Sequence, residues 1–139
     1  MRDRRVRGCM GALHPREPDW RTEIVRHALG ALSQDTRFPI VDRGESDRFI
    51  VIVSLVGETR PLARLADLDP WSEGLLVEAD ERSAVLLPGE AKTARWEFSQ
   101  ACRLAGIDPA APHSMTRFST TTWIGYPEIA GASEERSSP

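Results

Sequence analysis

Residues 7–11, Arg-Gly-Cys-Met-Gly, set a thiol between two glycines and within two residues of a guanidinium. The thiolate, not the thiol, is the reactive form of cysteine, and the positive charges of Arg7 and Arg5 would favour it at Cys9. Gly8 and Gly11 would let a ligand approach the backbone closely. A nucleophile or redox centre can be built from these residues. The same residues equally fit a small buried hydrophobe on a bulged strand. His14, five residues after Cys9, could serve as a base, although a lone loop histidine more often does neither acid–base nor ligand work.

A second polar group follows at Asp35-Thr36-Arg37-Phe38-Pro39. Arg37 either grips a carboxylate or phosphate bidentately, or pairs with Asp35 to pin the turn. Ser119, Thr120, Thr121 and Thr122 either line a polar groove or form the solvent face of a strand. The four tryptophans at 20, 71, 96 and 123 are too dispersed for a base-stacking platform and suit a core or rim. Glycine-rich phosphate loops, HExxH, GxSxG and paired CxxC are absent from the sequence, which removes the common nucleotide-binding, zinc-protease and hydrolase signatures. No metal ligand set and no cofactor site is read from the residues.

The elements that must carry these groups are legible in outline. Residues 5–13 begin like a strand and then meet Gly8 and Gly11, which predicts a bulge or sharp turn around Cys9. Trp20, Ile24, Ala28 and Ala31 recur at helical spacing up to about Gln34, with Asp19 as N-cap. The residue before proline avoids the helical region, so this helix must stop before Phe38-Pro39. The run Phe-Ile-Val-Ile-Val-Ser-Leu-Val at 49–56 has the pattern of a central strand buried on both faces. Two short runs, 74–79 and 83–87, joined at Asp80-Glu81, predict a hairpin. Ala94, Phe98, Ala101, Cys102 and Ala105 fall on one helical face, with Gly106 as C-cap, and this assigns Cys102 to the core. Thr116 to Ile124 reads as a half-exposed strand. The order of elements predicts an α+β domain, a largely antiparallel sheet packed against helices.

With 139 residues, 40% hydrophobic and 28% charged, the chain falls in the one-domain range. The expectation is a single domain over residues 1–126 and a polar, disordered tail at 127–139. A net charge of −3 argues against nucleic-acid binding by charge, and no apolar run reaches bilayer length. The Arg-rich start lacks the apolar region of a signal peptide, so a cytoplasmic protein with no membrane contact is expected. Two widely spaced cysteines signal neither a disulfide scaffold nor a zinc site. Residues 1–7 sum to +3 and residues 67–81 to −6, an asymmetry that fits solvated loops better than steering. All basic residues except Lys92 are arginine, for which biased codon usage is a simpler cause than anion recognition.

Val-Arg-Gly-Cys-Met-Gly at 6–11 resembles the Leu-Arg-Gly-Cys-Ile-Gly signature of the AMMECR-one domain family, known in prokaryotes as AmmeMemoRadiSam system protein A. The resemblance continues in order through Asp35, Arg37, Phe38 and Pro39, the Val-Ser-Leu-Val strand, Gly74 to Glu78, Leu87-Pro88 and Cys102 to Gly106, and so spans residues 5–124. It implies the fold of that family with a shortened N-terminus, since family members carry an additional strand and helix before the Arg-Gly-Cys strand. Ile50 or Ile52 stands where the family has an acidic residue, Gly89 where it has glutamine, and Ser72 or Glu73 where it has a base. Two functions follow. In the first, an enzyme or enzyme component acts on a small molecule or modified partner, with Cys9 as nucleophile or redox thiol, Arg7 and Arg37 as anion grips, and His14 as base. In the second, a non-catalytic accessory protein works beside the radical S-adenosylmethionine and Memo-like proteins that the resemblance implies as partners. The shortened start also predicts residues 5–10 as a bare sheet edge, open to a homodimer or to a protein encoded nearby. Since Cys102 lies on an apolar stripe and Cys9 beside arginines, brief iodoacetamide treatment with mass mapping should label Cys9 first. Preferential labelling of Cys102 would reverse the assignment.

Overall fold

The computed structural model describes residues 5–126, so the expected tail at 127–139 and Arg2 and Arg4 lie outside the described residues. The elements run α1 (Trp20–Ser33), a short 3-10 helix (Arg43–Arg48), β1 (Val51–Pro61), a second 3-10 turn (Leu65–Asp67), β2 (Gly74–Ala79), β3 (Arg82–Leu86), α2 (Ala94–Ala105) and β4 (Ser114–Gly125). The strands form one four-stranded antiparallel sheet in the order β1-β4-β2-β3, an α+β fold as the sequence predicts. Contacts divide the chain into two compact units, one of residues up to Val53 with those from Ile124 onward, the other Ser54–Trp123.

The second unit is organised around the β2–β3 hairpin. Asp80 and Glu81 make its two-residue turn, with Asp80 in the left-handed region at φ 55°, a conformation that aspartate tolerates better than most residues. The register pairs Leu75 with Leu86 and Val77 with Ala84 on one side, and Leu75 with Arg117 and Val77 with Met115 on the other. Leu75, Val77, Ala79 and Leu86 therefore share a face, and Ala101 and Cys102 of α2 close over it together with Leu62, Leu68 and Ile107. Helix α2 begins where the Thr93 hydroxyl accepts the Trp96 N–H at 3.2 Å. It ends at Gly106, whose φ of 66° reverses the chain so that the Ile107 N–H reaches the Cys102 carbonyl at 2.9 Å. On the opposite face of β2 the buried Phe118 ring lies over Gly74, where a Cβ would come within 2.4 Å of Phe118 Cζ and 2.6 Å of the Leu86 carbonyl oxygen.

Several expectations need correction. Residues 5–12 form no strand and join no ladder; they are not a sheet edge. A Cβ on Gly8 would stand 1.8 Å from the Ala31 carbonyl oxygen, and one on Gly30 2.2 Å from Met10 Sδ. The segment is thus pressed on α1, and of the two glycines that suggested a bulge Gly8 serves helix contact while Gly11 does not. The 49–56 run does not make a central strand: β1 is an edge strand, and Ile52 is 62% exposed. Its β-branched residues specify extended backbone but not a place in the sheet. Phe98 packs against the core from the expected face but is only half-buried, its ring tilted 40° against His113 with 5.0 Å between centroids. All four tryptophans are exposed, Trp96 the least at 49%, so none is core.

Gly74→Ala should destabilise by about 1–3 kcal/mol, because neither the Leu86 backbone nor the buried Phe118 can retreat freely. Gly11→Ala, where a Cβ meets nothing within 4 Å, should stay within about 1 kcal/mol of the parent. Denaturant melts of the two variants check the contrast, and equal midpoints would refute it.

Candidate functional site

The unit that holds the N-terminal segment builds its site from three stretches: residues 7–11, the turn after α1, and the 3-10 helix. Asp19 fixes the start of α1 by accepting the Arg21 and Thr22 N–H groups, both at 3.0 Å, and its carboxyl is held below the usual range chiefly by the Thr22 hydroxyl. At the other end the Phe38 N–H bonds to the Asp35 carbonyl at 3.2 Å, a turn that brings Asp35 and Arg37 together.

Asp35 is the centre of the site. Its Oδ1 accepts Arg37 Nε at 2.8 Å and the Arg37 N–H at 3.2 Å, while Oδ2 accepts Arg37 Nη2 at 2.8 Å and the Cys9 N–H at 2.9 Å. The Arg37 guanidinium forked onto the carboxylate, helped by the two backbone donors, holds Asp35 well below the ordinary carboxylate range against the opposing effect of burial. Arg37 is raised in turn, first by Asp35 and more weakly by the adjacent Cys9 sulfur. Cys9 itself is exposed. The turn-pinning reading of Arg37 is thus realised, and the pair also ties Cys9 in place.

Arg7 points elsewhere. Its Nη2 donates to both Glu45 oxygens at 3.0 Å, and Glu45 belongs to a capping box with Asp42 at the start of the 3-10 helix. Gly8 is explained by its contact with Ala31, and Gly11 has open space around it. His14 is exposed and makes no hydrogen bond or ion pair among the described residues. The structure therefore brings Cys9, Asp35 and Arg37 together and leaves Arg7 and His14 outside that group. A hollow of about 480 Å³ in the same unit, lined by Leu32, Val41, Phe49, Val51 and Tyr126 among others, contains none of the candidate residues. No group of three metal-ligating side chains forms among the described residues, and none of their helices is long and apolar enough to cross a membrane.

The AMMECR1 family model matches residues 1–123. The chain belongs to the AMMECR1 family. It is 36% identical over 86 residues to a protein of Thermotoga maritima, covering 62% of this chain and 49% of that one. A protein of Aeropyrum pernix is 33% identical over 111 residues, covering 73% and 48%, and one of Methanocella arvoryzae 30% over 116 residues, covering 76% and 59%. The chain thus spans about half the length of the curated relatives it matches. The crystal structure of a Pyrococcus horikoshii protein shares the fold at TM-score 0.79 and 24% identity, over 87% of this chain and 66% of that one.

Within this AMMECR1-family chain, sequence reasoning missed two groups. Glu45 was readable as the second half of an Asp-x-x-Glu capping box, though its contact with Arg7 was not. Glu97 sits on the α2 stripe three residues after Ala94 and four before Ala101, so the same spacing that assigned Cys102 to the core also assigns a carboxyl there.

The depressed Asp35 carboxyl predicts a pH dependence. Its interactions contribute fully above the usual aspartate range near pH 4 and are lost as pH falls toward its lower folded value. The Cys9 amide should therefore keep its hydrogen-bonded chemical shift down to about pH 3 and lose exchange protection in Asp35→Asn. An Asp35 carboxyl titrating near 4 in the folded protein would contradict the arrangement.

Proposed function

We propose that Cys9, Asp35 and Arg37 form a thiol site that acts on a small molecule or a modified partner. The observation that carries this reading is the exposed Cys9 sulfur beside a guanidinium that Asp35 holds at two nitrogens while it also binds the Cys9 N–H. A guanidinium beside an accessible sulfur can hold an anionic group of a substrate within reach of the thiol. In this reading Cys9 is the nucleophile, Arg37 the cation that grips an anionic substrate group beside it, and Asp35 the positioning residue. Arg7, already paired with Glu45, contributes to the placement of the segment.

A second reading, a non-catalytic accessory protein beside radical S-adenosylmethionine and Memo-like partners, has one observation in its favour. Asp35 and Glu45 already engage the two arginines that would grip an anion.

Arg37→Gln should slow Cys9 alkylation by the anionic reagent iodoacetate by roughly three- to tenfold relative to neutral iodoacetamide, with Cys102 unaffected. An unchanged Cys9 rate would remove the thiol site and leave the accessory reading. Under that reading Cys9→Ser keeps full co-purification with the partner proteins.

A further inference from the structure

Helix α2 carries a carboxyl in a place built for hydrocarbon. Glu97 has no exposed surface, and neither of its oxygens has a hydrogen-bond partner. It lies on the stripe formed by Ala94, Ala101 and Cys102, which seats on β2 and β3. An ionised carboxylate without a donor is the least tolerated buried group, because nothing replaces the water it gives up.

The groups around it add to the difficulty. Glu90, from the loop before α2, and Glu73, from the loop before β2, are the charges that act on Glu97, and both are acidic. Among the described residues none of the surrounding cations donates to it. Arg117 of β4 donates through Nη1 to the Asp67 carbonyl at 3.0 Å, with the same Nη1 3.5 Å from Glu73, while its Nε is buried without a partner; Arg64 is forked onto Asp67; Arg82 of β3 bonds to the Gly106 carbonyl; Arg103 of α2 is held by Gln100. Lys92 and Arg95 are exposed, and the His113 ring stacks on Phe98. Glu90 is itself tied to the Leu87 N–H at 2.8 Å.

We propose that Glu97 is a proton-operated latch: with its proton it lets α2 close on the β2–β3 hairpin, and without it α2 lifts and uncovers Cys102. Burial, followed by Glu90 and Glu73, pushes the Glu97 carboxyl up to about 7 from an ordinary value of 4.5. The closed state keeps its proton where an open, hydrated carboxyl would lose it. Closure is therefore fully favoured at low pH and progressively lost as pH rises from the ordinary carboxylate range through about 7. The device works across the physiological range, and it acts on the thiol that burial otherwise keeps inert.

Amide exchange along α2, corrected for the intrinsic rate, tests this in the intact chain from pH 5 to pH 8. The opening constant should rise roughly 50- to 100-fold in the parent protein, from the difference between the closed and open carboxyls. Cys102 labelling should rise with it. In Glu97→Gln the profile should be flat. Glu90→Gln, which keeps Glu97 but removes a neighbouring charge, should shrink the rise and move it to lower pH, and it serves alone if Glu97→Gln does not fold. A flat profile in the parent, an equal rise in Glu97→Gln, or a Glu90→Gln profile identical to the parent would each overturn the latch.

Discussion

Strand β2 is hydrogen-bonded to β3 along one edge and to β4 along the other, and all its residues but Glu78 are buried. Leu75 and Val77 are completely buried on the side of α2, while Leu76 and Gly74 lie on the side of Phe118. Each fully buried aliphatic side chain of this kind contributes about 1.5–3 kcal/mol, so three consecutive residues of one strand anchor both neighbours and the helix. Gly74 is the geometric condition for it, since any side chain there would displace Phe118 or the β3 backbone. Every other element of residues 54–123 is placed relative to this strand.

The other unit is held differently. Among its described residues Gly30 alone is buried, and the α1 side chains Val25 and Leu29 are more than half exposed. Hydrophobic burial therefore does not locate Cys9; a carboxylate does. Asp35 collects four donors from Arg37 and Cys9, and Gly8 and Gly30 allow the N-terminal segment to lie against α1 closely enough for the Cys9 N–H to reach it. Charged hydrogen bonds are stronger and more directional than neutral ones, which suits them to fixing a group on an exposed surface.

The difference between the two units explains what could be read from sequence. Helix caps are local, so Asp19, Gly106 and the ends of both helices were legible, as was the hairpin with its turn at Asp80-Glu81. The Asp35–Arg37 pair, two residues apart, was legible too. Cys9 with Asp35, separated by 26 residues, and Arg7 with Glu45, separated by 38, were not, because no periodicity links such pairs. The strand at 49–56 was assigned the central place that β2 occupies. Composition reports a preference for extended backbone, and only pairing decides which strand lies between two others. Residues 5–12 misled for the same reason: Gly8, which suggests a bulge, also permits contact with a helix.

Two thiols of one chain end in opposite environments, of which the burial of Cys102 follows from its helical spacing and the setting of Cys9 does not. Cys102 is raised first by burial, with Asp108 adding to it, and apolar neighbours surround it. Cys9 is open to solvent with its backbone fixed by Asp35 and Arg37 at its side. Asp35 does not need to touch the sulfur to matter. By taking two nitrogens of Arg37 and the N–H of Cys9 on the same carboxylate, it ties the guanidinium and the cysteine backbone to one point. Arginine suits the position because its planar fork lets one carboxylate define its orientation, which a lysine ammonium would not.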